Sequence, residues 1–340
     1  MKFNSERQLM YRITLIPGDG IGPEIVAAAV QVAEATGVPI TWEEVAAGQC
    51  AIEEFGSPVP KQAVDSIRKN KVALKGPMTN IVGAGFPSPN ITLRVELDLY
   101  ANLRLARTIV GAQSPFENVD LVVVRENTED VYVGREQMIG EDAAIAIKFI
   151  TKKGSRRVIR FAFEYAVREK RRKVTVVLKA NILKLTDGMF LREARAIAKE
   201  YPQIEFEETN VDAQCMDLVR KPQNYDVMVM PNLYGDIVAD LAGGLVGSVG
   251  LCPGGNFGTG ISVFEPAHGS APKYKGQNKV NPTAMILSAA FMLNHLGETG
   301  AAGTISRAVE KVISEGKTVT YDLGGSASTA QMTEAIINEM

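Results

Sequence analysis

The sequence predicts an α/β protein built as two lobes, and three observations lead to this prediction. Short β-rich runs alternate with helical runs up to residue 76, the order that gives parallel strands joined by helical crossovers. After Leu99, three strand-like runs follow one another without a helix, which indicates antiparallel pairing or a mixed sheet. Finally, 340 residues can bury one large core or two packed lobes that share a cleft.

The individual elements follow from hydrophobic periodicity. The runs LYANLRLAR, VDLVVVREN and AAIAIKFIT are strand-like, alternation then resumes with a helix at 155–169, and the C-terminal third is mostly helical with Gly-rich loops at 243–260. If the lobes share a sheet, the chain must leave the first lobe and return to it. Before Leu99 the predicted elements are strand 13–17, helix Glu24–Ala35, strand 40–45, helix Lys61–Lys69 and strand 72–76.

Composition excludes several classes of function. The 37 basic and 39 acidic residues nearly cancel, so no broad field favours nucleic acid or a membrane surface. Cys50, Cys215 and Cys252 are far apart and form no C-x-x-C pair, which argues against a disulfide framework or a zinc site. No apolar leader or membrane-spanning run is present, so we expect a cytoplasmic protein, although a mature matrix protein would look the same.

A glycine cluster, PGDGIGPE at residues 17–24, lies between a predicted strand and a predicted helix. Gly18, Gly20 and Gly22 recur at every second residue, whereas the dinucleotide fingerprint needs G-x-G-x-x-G. The cluster is compatible with a tight strand-to-helix loop or with a nucleotide contact.

Two carboxylates are spaced for a divalent metal. Asp236 and Asp240, in YGDIVAD, lie four residues apart on a predicted helix and share one face. Oxygen ligands in that number suit Mg²⁺ or Mn²⁺, although such a pair alone is more often a solvated helix face. Asp212 follows a predicted strand and is a third candidate ligand, but spacing does not place it near the pair.

Arginines form the candidate grip for an anionic substrate. The segment SPNITLRVELDLYANLR is consistent with a helix that has Ser88 as its N-cap and Pro89 as its first residue, with Asn90 and Arg94 on one face. Arg94, Arg104 and Arg125 could pair bidentately with several carboxylates, whereas each considered singly reads as a surface ion pair.

Tyr132 and Lys179 are the candidate proton-transfer groups. Lys179 ends an apolar strand, and its cation beside a phenol would lower the pKa of that phenol and so ease proton transfer. His268 and His295 lie in no nucleophile motif, so histidine chemistry is not predicted.

Taken together, these segments resemble the isocitrate/isopropylmalate dehydrogenase family from about Ile13 to the C-terminus. The resemblance implies a two-lobed fold that is not a Rossmann domain, a homodimer, and active sites built from both subunits. It implies a large lobe, 1–98 with 247–340, that carries nucleotide-binding loops, and a small lobe, 99–246, with the dimer interface and metal aspartates. The family's motifs occur in its order as PGDGIGPE, KGP, DLYANLR, VRENTED, KANILKLTDG, NLYGDIVADLAGGLVG, FEPAHGSAP and NPTAMILS.

The resemblance also implies roles in an oxidative decarboxylation. The arginines grip substrate carboxylates, and Asp236 and Asp240 hold Mg²⁺ or Mn²⁺ together with Asp212 of the partner subunit. Lys179, also contributed by the partner, would with Asp212 assist removal of the hydroxyl proton, while Tyr132 would protonate the enol carbon. A nicotinamide accepts the hydride. The expected cofactor-binding residues are Lys75, Thr79, Asn80, Glu265, His268, Gly269, Lys273, Tyr274, Val280, Asn281 and Tyr321.

Substrate and cofactor choice rest on few positions. Ser88 and Asn90 match the S-x-N-x-x-x-R pattern of isocitrate enzymes, which favours isocitrate, a tricarboxylate, over homoisocitrate or 3-isopropylmalate. Lys273, Tyr274 and Tyr321 look like the residues that hold the 2′-phosphate, which favours NADP over NAD, although Gly325 stands where NADP enzymes have Arg.

Some features leave other interpretations open. Asn80 replaces a common Thr, and Thr259-Gly260 replaces an Asp-containing turn. A non-catalytic regulatory subunit or a nucleotide-binding module would also resemble the family, but here every proposed catalytic residue is present.

Overall fold

The computed structural model describes residues 10–80 and 86–340. No helix in these ranges has the length and apolarity needed to span a membrane. In chain order, the strands are β1 (Tyr11–Ile16), β2 (Ile40–Glu44), β3 (Val72–Lys75), β4 (Ala101–Arg107), β5 (Asp120–Glu126), β6 (Glu136–Ile139), β7 (Ala143–Ala146), β8 (Lys173–Leu178), β9 (Glu205–Asn210), β10 (Val227–Met230), β11 (Pro253–Phe257) and β12 (Ser262–Pro266). The helices are α1 (Gly22–Ala35), α2 (Cys50–Phe55), α3 (Lys61–Asn70), α4 (Pro89–Glu96), α5 (Lys152–Arg168), α6 (Thr186–Ala198), α7 (Val211–Arg220), α8 (Asn232–Leu245), α9 (Thr283–His295), α10 (Thr299–Glu315) and α11 (Thr329–Asn338).

The chain divides into two compact units. The first runs to Pro89 and resumes with 263–265 and 269–340, and the second comprises 90–262 with 266–268. These boundaries differ from those of the expected lobes, because 90–98, 247–262 and 266–268 fall in the second unit. The physical reason at 247–262 is β11, which pairs antiparallel with β4 and sets Gly254 opposite Arg104.

The first unit confirms the predicted parallel strands. Strand β1 pairs in parallel with β2 on one side and with β3 on the other, and β12 follows β3 in the strand order. Helix α1 buries the side chains of Ile25 and Val32 and packs against α9, which is apolar on nearly every face. An amphipathic helix over a buried parallel strand is the arrangement that the sequence pattern requires.

The second unit holds the mixed sheet that the helix-free stretch predicted. Its strand order is β11-β4-β5-β10-β8-β9, in which β4 is antiparallel to both of its neighbours and the remaining pairs are parallel. The core packs β5 and β10 under α8, with Val123, Met228, Met230 and Val238 fully buried.

The run AAIAIKFIT does not join that sheet. Its first residues form β7, which pairs only with β6 in a two-stranded hairpin whose side chains are all exposed. Met138 is 59% exposed and Ile139 is 55% exposed. Because a lone hairpin is at best marginally stable in water, this hairpin requires a covering surface.

The Gly-rich region 243–260 contains regular structure that the sequence analysis assigned to loops. It includes the end of α8 and all of β11. At Gly254 an added Cβ would lie 2.5 Å from Nη1 of Arg104, so glycine makes room for that side chain. The region reads as a loop because glycine is depleted in ordinary strands, whereas here it allows close packing.

Candidate active site

In the second unit, three predicted site residues form one cluster. Arg125 donates from Nη1 to Oδ1 of Asp236, and Tyr132 donates from its hydroxyl to Oδ2 of the same carboxylate. The Arg125 guanidinium also lies over the Tyr132 ring, 4.9 Å from its centroid. One carboxylate therefore joins a substrate-binding candidate and a proton-transfer candidate.

The sheet explains why residues more than a hundred positions apart meet. Parallel pairing of β5 and β10 sets Arg125 beside Met230, and α8 begins at Asn232 immediately beyond. The Asn232 side chain accepts from Nε of Arg125 at 2.8 Å. At Gly235 an added Cβ would lie 2.5 Å from the Cβ of Arg125, so only glycine allows this approach.

Asp236 and Asp240 lie on one face of α8, as predicted. Burial raises the pKa of Asp240, and the charge of Asp236 raises it further, although Arg104 and Arg125 oppose the shift. Two carboxylates that repel each other at a half-exposed helix face fit a divalent cation, because a metal relieves the repulsion. Asp236 and Asp240 thus suit Mg²⁺ or Mn²⁺.

The other arginines lie in the same unit. Arg94, on α4, is close enough to Tyr132 to lower the pKa of that phenol, although other influences outweigh it. Arg104, on β4, donates from Nε to Oδ1 of Asn102 at 3.2 Å. Asn90 lies in the first turn of α4, which begins at Pro89 as the sequence predicted.

Ser88 belongs to the first unit and has a partner that the sequence did not indicate. Its hydroxyl donates to Oδ1 of Asn80 at 2.7 Å. Asn80, expected as a cofactor contact, therefore accepts a hydrogen bond from the serine on which the predicted choice of substrate rests.

The environment of Tyr132 corrects one expectation. The pKa of Tyr132 is raised rather than lowered, chiefly by burial and next by its hydrogen bond to Asp236. The cation over its ring is Arg125, whereas Nζ of Lys179 lies 2.5 Å from Oδ1 of Asp212 in the same chain. A phenol with a raised pKa stays protonated near neutral pH, so Tyr132 carries the proton that a donor needs, while the shift makes it a weaker acid.

Lys179 and Asp212 form their own pair. Lys179 follows β8, as predicted, and its backbone N–H donates to Oδ2 of Asp187 at 2.7 Å. The hydrogen bond from Lys179 lowers the pKa of Asp212, which therefore remains ionised. Across residues 10–80 and 86–340, no three His, Cys, Asp or Glu side chains are grouped to hold a metal, so Asp212 does not join Asp236 and Asp240 within one chain.

In the first unit, the glycine cluster is a tight loop that binds other loops. The Asp19 carboxylate is buried and accepts from the backbone N–H groups of Gln49 at 3.0 Å and Thr79 at 2.7 Å. At Gly20 an added Cβ would collide with the carbonyl oxygen of Ser270, and Ile21 donates to that oxygen at 2.9 Å. The cluster thus fixes the segments around Thr79 and Ser270, where cofactor residues were expected.

Two lysines and two tyrosines lie close together among the residues expected to hold the 2′-phosphate of NADP. Nζ of Lys273 lies 4.8 Å from the Tyr274 ring centroid, and Nζ of Lys279 lies 4.8 Å from that of Tyr321. The two rings are 6.1 Å apart. At Gly325 an added Cβ would collide with the carbonyl oxygen of Val319, so this backbone admits no side chain where NADP enzymes are expected to have Arg.

The remaining cofactor candidates, His268 excepted, lie in this unit. Lys75 and Glu265 form a buried ion pair at 2.7 Å. The Thr79 and Ser270 hydroxyls are 2.7 Å apart, and Asn281 donates to Asp322 at 2.9 Å. Val280 is buried, and its carbonyl oxygen accepts from the Thr329 hydroxyl at 2.6 Å. Gly269 is exposed, and His268 belongs to the second unit.

Sequence reasoning missed several supporting residues. Asn232 and Asp19 lie inside motifs that were singled out, so motif membership was a usable signal for both. Lys148 lies at the end of an alternating apolar run, and no motif in the sequence marked it as a supporting residue.

Comparisons with known proteins identify the family to which this chain is similar. The family model described as isocitrate/isopropylmalate dehydrogenase matches residues 12–336. The chain is 46% identical over 325 residues to the alpha chain of a probable mitochondrial isocitrate dehydrogenase (NAD) of Drosophila melanogaster, covering 96% of this chain and 86% of that protein. It is 44% identical over 339 residues to a mitochondrial isocitrate dehydrogenase (NAD) regulatory subunit of Dictyostelium discoideum, covering 99% and 94%. Among solved structures, isocitrate dehydrogenase from Methylococcus capsulatus is 53% identical with a TM-score of 0.94, covering 97% of this chain and 99% of that one. The mitochondrial names do not support the expected cytoplasmic location.

Proposed function

We propose that this chain, which belongs to the isocitrate/isopropylmalate dehydrogenase family, catalyses the oxidative decarboxylation of isocitrate to 2-oxoglutarate and carbon dioxide. The observation that carries the proposal is the joining of Arg125 and Tyr132 through the Asp236 carboxylate, with Asp240 on the same helix face. A carboxylate grip, a metal position and a proton donor are thereby combined.

Asp236 and Asp240 would hold the divalent metal. A bound Mg²⁺ or Mn²⁺ lowers the pKa of the substrate hydroxyl and stabilises negative charge on the substrate oxygen when carbon dioxide leaves. The three arginines Arg94, Arg104 and Arg125 would bind the substrate carboxylates and orient the carbon that loses its hydride to the nicotinamide.

Proton movement falls to two pairs of residues. Asp212, kept ionised by Lys179, would assist loss of the substrate hydroxyl proton while the hydride leaves the same carbon. After the carboxylate departs as carbon dioxide, Tyr132, which its raised pKa keeps protonated, would give its proton to the enol carbon.

Isocitrate is proposed over homoisocitrate and 3-isopropylmalate because of Ser88 and Asn90. A hydroxyl and an amide can bind a third carboxylate, whereas an isopropyl group would leave them unpaired at a cost on the order of 1–3 kcal/mol. The Ser88 hydroxyl donates to Oδ1 of Asn80 at 2.7 Å, so its hydrogen would have to turn from Asn80 to the substrate carboxylate.

NAD is the proposed electron acceptor. The curated relatives are named as NAD enzymes, and Gly325 leaves no room for the arginine of NADP enzymes. NADP, which the sequence analysis favoured, stays the second candidate because Lys273 and Lys279 flank the two tyrosines Tyr274 and Tyr321. Two cations at that position would suit a 2′-phosphate.

A homodimer with shared active sites accounts for two features of the chain. Within one chain Asp212 does not meet the other two metal aspartates. The hairpin of β6 and β7 exposes apolar side chains, as do α7 at Met216 and α8 at Ile237. A second copy would cover these surfaces and supply Asp212 and Lys179 to its neighbour. The two units would serve as the nucleotide lobe and the metal lobe.

A non-catalytic regulatory subunit is the competing function, since the Dictyostelium discoideum relative is named as one. Against it, the chain retains the arginines, the tyrosine, the lysine and all three aspartates. Purified protein without other subunits distinguishes the two, because only a catalytic chain turns over isocitrate alone.

The decisive experiment assays that protein with isocitrate, homoisocitrate or 3-isopropylmalate, each with NAD or NADP and with Mg²⁺ or EDTA. We expect the highest kcat/KM with isocitrate, NAD and Mg²⁺, and none with EDTA. Faster turnover of 3-isopropylmalate would refute the proposal that Ser88 selects isocitrate. Inactivity with every combination of substrate, cofactor and metal would favour a regulatory subunit.

Subunit mixing tests the shared site. Hybrid dimers of Asp212→Asn and Tyr132→Phe chains would each regain one intact site of two, so random pairing restores about a quarter of wild-type activity. Activity no higher than in the separate variants would show that each site is built within one chain.

A further inference from the structure

Lys148 places a cation in the interior of the second unit, where the proposed reaction gives it no role. It lies between β7 and α5, and its side chain is 14% exposed. The next residue, Phe149, forms a β-bridge with Asp130 and accepts from its backbone N–H at 2.8 Å. The backbone thus holds Lys148 beside the VRENTED segment.

The lysine cation contacts three side chains from three segments. Its Nζ lies 2.8 Å from Oδ1 of Asp187 and 3.8 Å from Oδ1 of Asp130. It also lies 4.1 Å from the centroid of the Tyr234 ring. Both carboxylates are fully buried, so the cation compensates charge that water cannot reach.

Each of the two carboxylates also accepts hydrogen bonds from backbone N–H groups. Oδ2 of Asp187 accepts from the N–H of Lys179 at 2.7 Å. Asp130 accepts from the N–H of Val131 at 2.9 Å and from that of Leu233 at 3.0 Å. The anchored positions are Lys179 itself, the residue before Tyr132, and the first turn of α8.

We propose that Lys148 is a positioning residue that fixes Tyr132, Lys179 and Asp236 relative to one another. It contacts none of the reacting atoms and acts through Asp187, Asp130 and Tyr234. The inference rests on the proposed function, which gives those three residues their roles. Because catalysis requires reacting groups held within fractions of an ångström, loss of the common anchor slows chemistry more than it weakens binding.

In the proposed dimer, this arrangement has a consequence for both sites. Lys179 would serve the neighbouring subunit's site, whereas Tyr132 and Asp236 would serve the chain's own site. Lys148 would then position, within one chain, residues that belong to two different active sites.

The test compares wild type with Lys148→Met and with Lys148→Met/Asp187→Asn. The double variant removes one cation and one anion, and its amide oxygen still accepts from the Lys179 N–H. Lys152→Met is the matched control, because Lys152 is 68% exposed and pairs with Glu193 at 3.7 Å in the same unit. Measured quantities are kcat, KM for isocitrate and melting temperature.

We expect kcat of Lys148→Met to fall by about 100-fold with KM changed by less than about threefold. The double variant should melt within a few degrees of wild type, yet keep kcat at least about tenfold low. Wild-type kcat in the double variant would show that Lys148 only balances buried charge. Failure of both variants to fold would show that Lys148 is needed for folding. Either result overturns the proposal. An inactive wild type refutes the proposed function instead.

Discussion

The two proposed binding regions, around Asp236 and around the glycine cluster at 17–24, are held by different kinds of contact. In the second unit, charged side chains hold one another: Arg125 and Tyr132 share the Asp236 carboxylate, and Lys148 bridges Asp130 and Asp187. Around the glycine cluster of the first unit, backbone approaches backbone, with Gly18, Gly20 and Gly22 leaving no room for a Cβ and a buried Asp19 accepting from peptide N–H groups.

This difference predicts which kind of substitution should damage each region. The second unit depends on charge and proton position, so isosteric changes of side chain should damage chemistry with little effect on folding. The first unit depends on space, so a single added methyl should disturb loop structure and cofactor binding. The following substitutions test that contrast.

The largest effect is expected for Tyr132→Phe. Loss of the hydroxyl removes the proposed proton donor, so kcat should fall by about 100- to 10,000-fold. Mn²⁺ affinity, measured by titration, should change little because Asp236 and Asp240 remain. Tyr201→Phe, a half-buried tyrosine of the same unit, is the control and should stay active. Near-normal kcat for Tyr132→Phe would remove the residue from the mechanism.

The second largest effect is expected for Gly20→Ala, which should lower the free energy of unfolding. The new Cβ collides with the Ser270 carbonyl at a φ of +59°. Gly37→Ala is the control, since φ is +76° there but no atom lies within 4 Å. Denaturant unfolding should show a loss of about 1–2 kcal/mol for the control and at least about 1 kcal/mol more for Gly20→Ala. Equal losses would mean that only the backbone angle matters.

Lys273→Asp should produce a moderate shift in cofactor choice. The ratio of kcat/KM for NAD to that for NADP should rise about tenfold, since a cation that attracts the 2′-phosphate becomes an anion. Lys311→Asp, an equal charge reversal on α10, should leave the ratio unchanged. An unaltered ratio in Lys273→Asp would show that Lys273 does not contact the phosphate.

The smallest effect concerns stability. Burial raises the pKa of Asp240, so its ionised form opposes folding, and the free energy of unfolding falls as pH rises through that pKa. In EDTA at neutral pH, Asp240→Asn should therefore be more stable by up to about 1 kcal/mol, while Mn²⁺ no longer raises its melting temperature. Asp142→Asn on the exposed hairpin should change neither property. A less stable Asp240→Asn protein in EDTA would contradict the assigned repulsion.

Much of this architecture was predictable because it is local. The spacing of Asp236 and Asp240 placed both on one helix face, and apolar alternation placed β1 to β3. The contact between Arg125 and Asp236 was not, because strand pairing across the second unit creates it. The pairing of Lys148 with Asp187 is equally non-local, and the β11 glycines read as a loop because their packing partner, Arg104, is distant in sequence.

The loop at Gly325 has an evolutionary consequence. Because the Val319 carbonyl occupies the space of any side chain there, an arginine introduced at that position would require the turn to be rebuilt. If this position sets the nicotinamide preference, as proposed above, a lineage that carries this turn would change that preference through insertions or substitutions elsewhere in the loop.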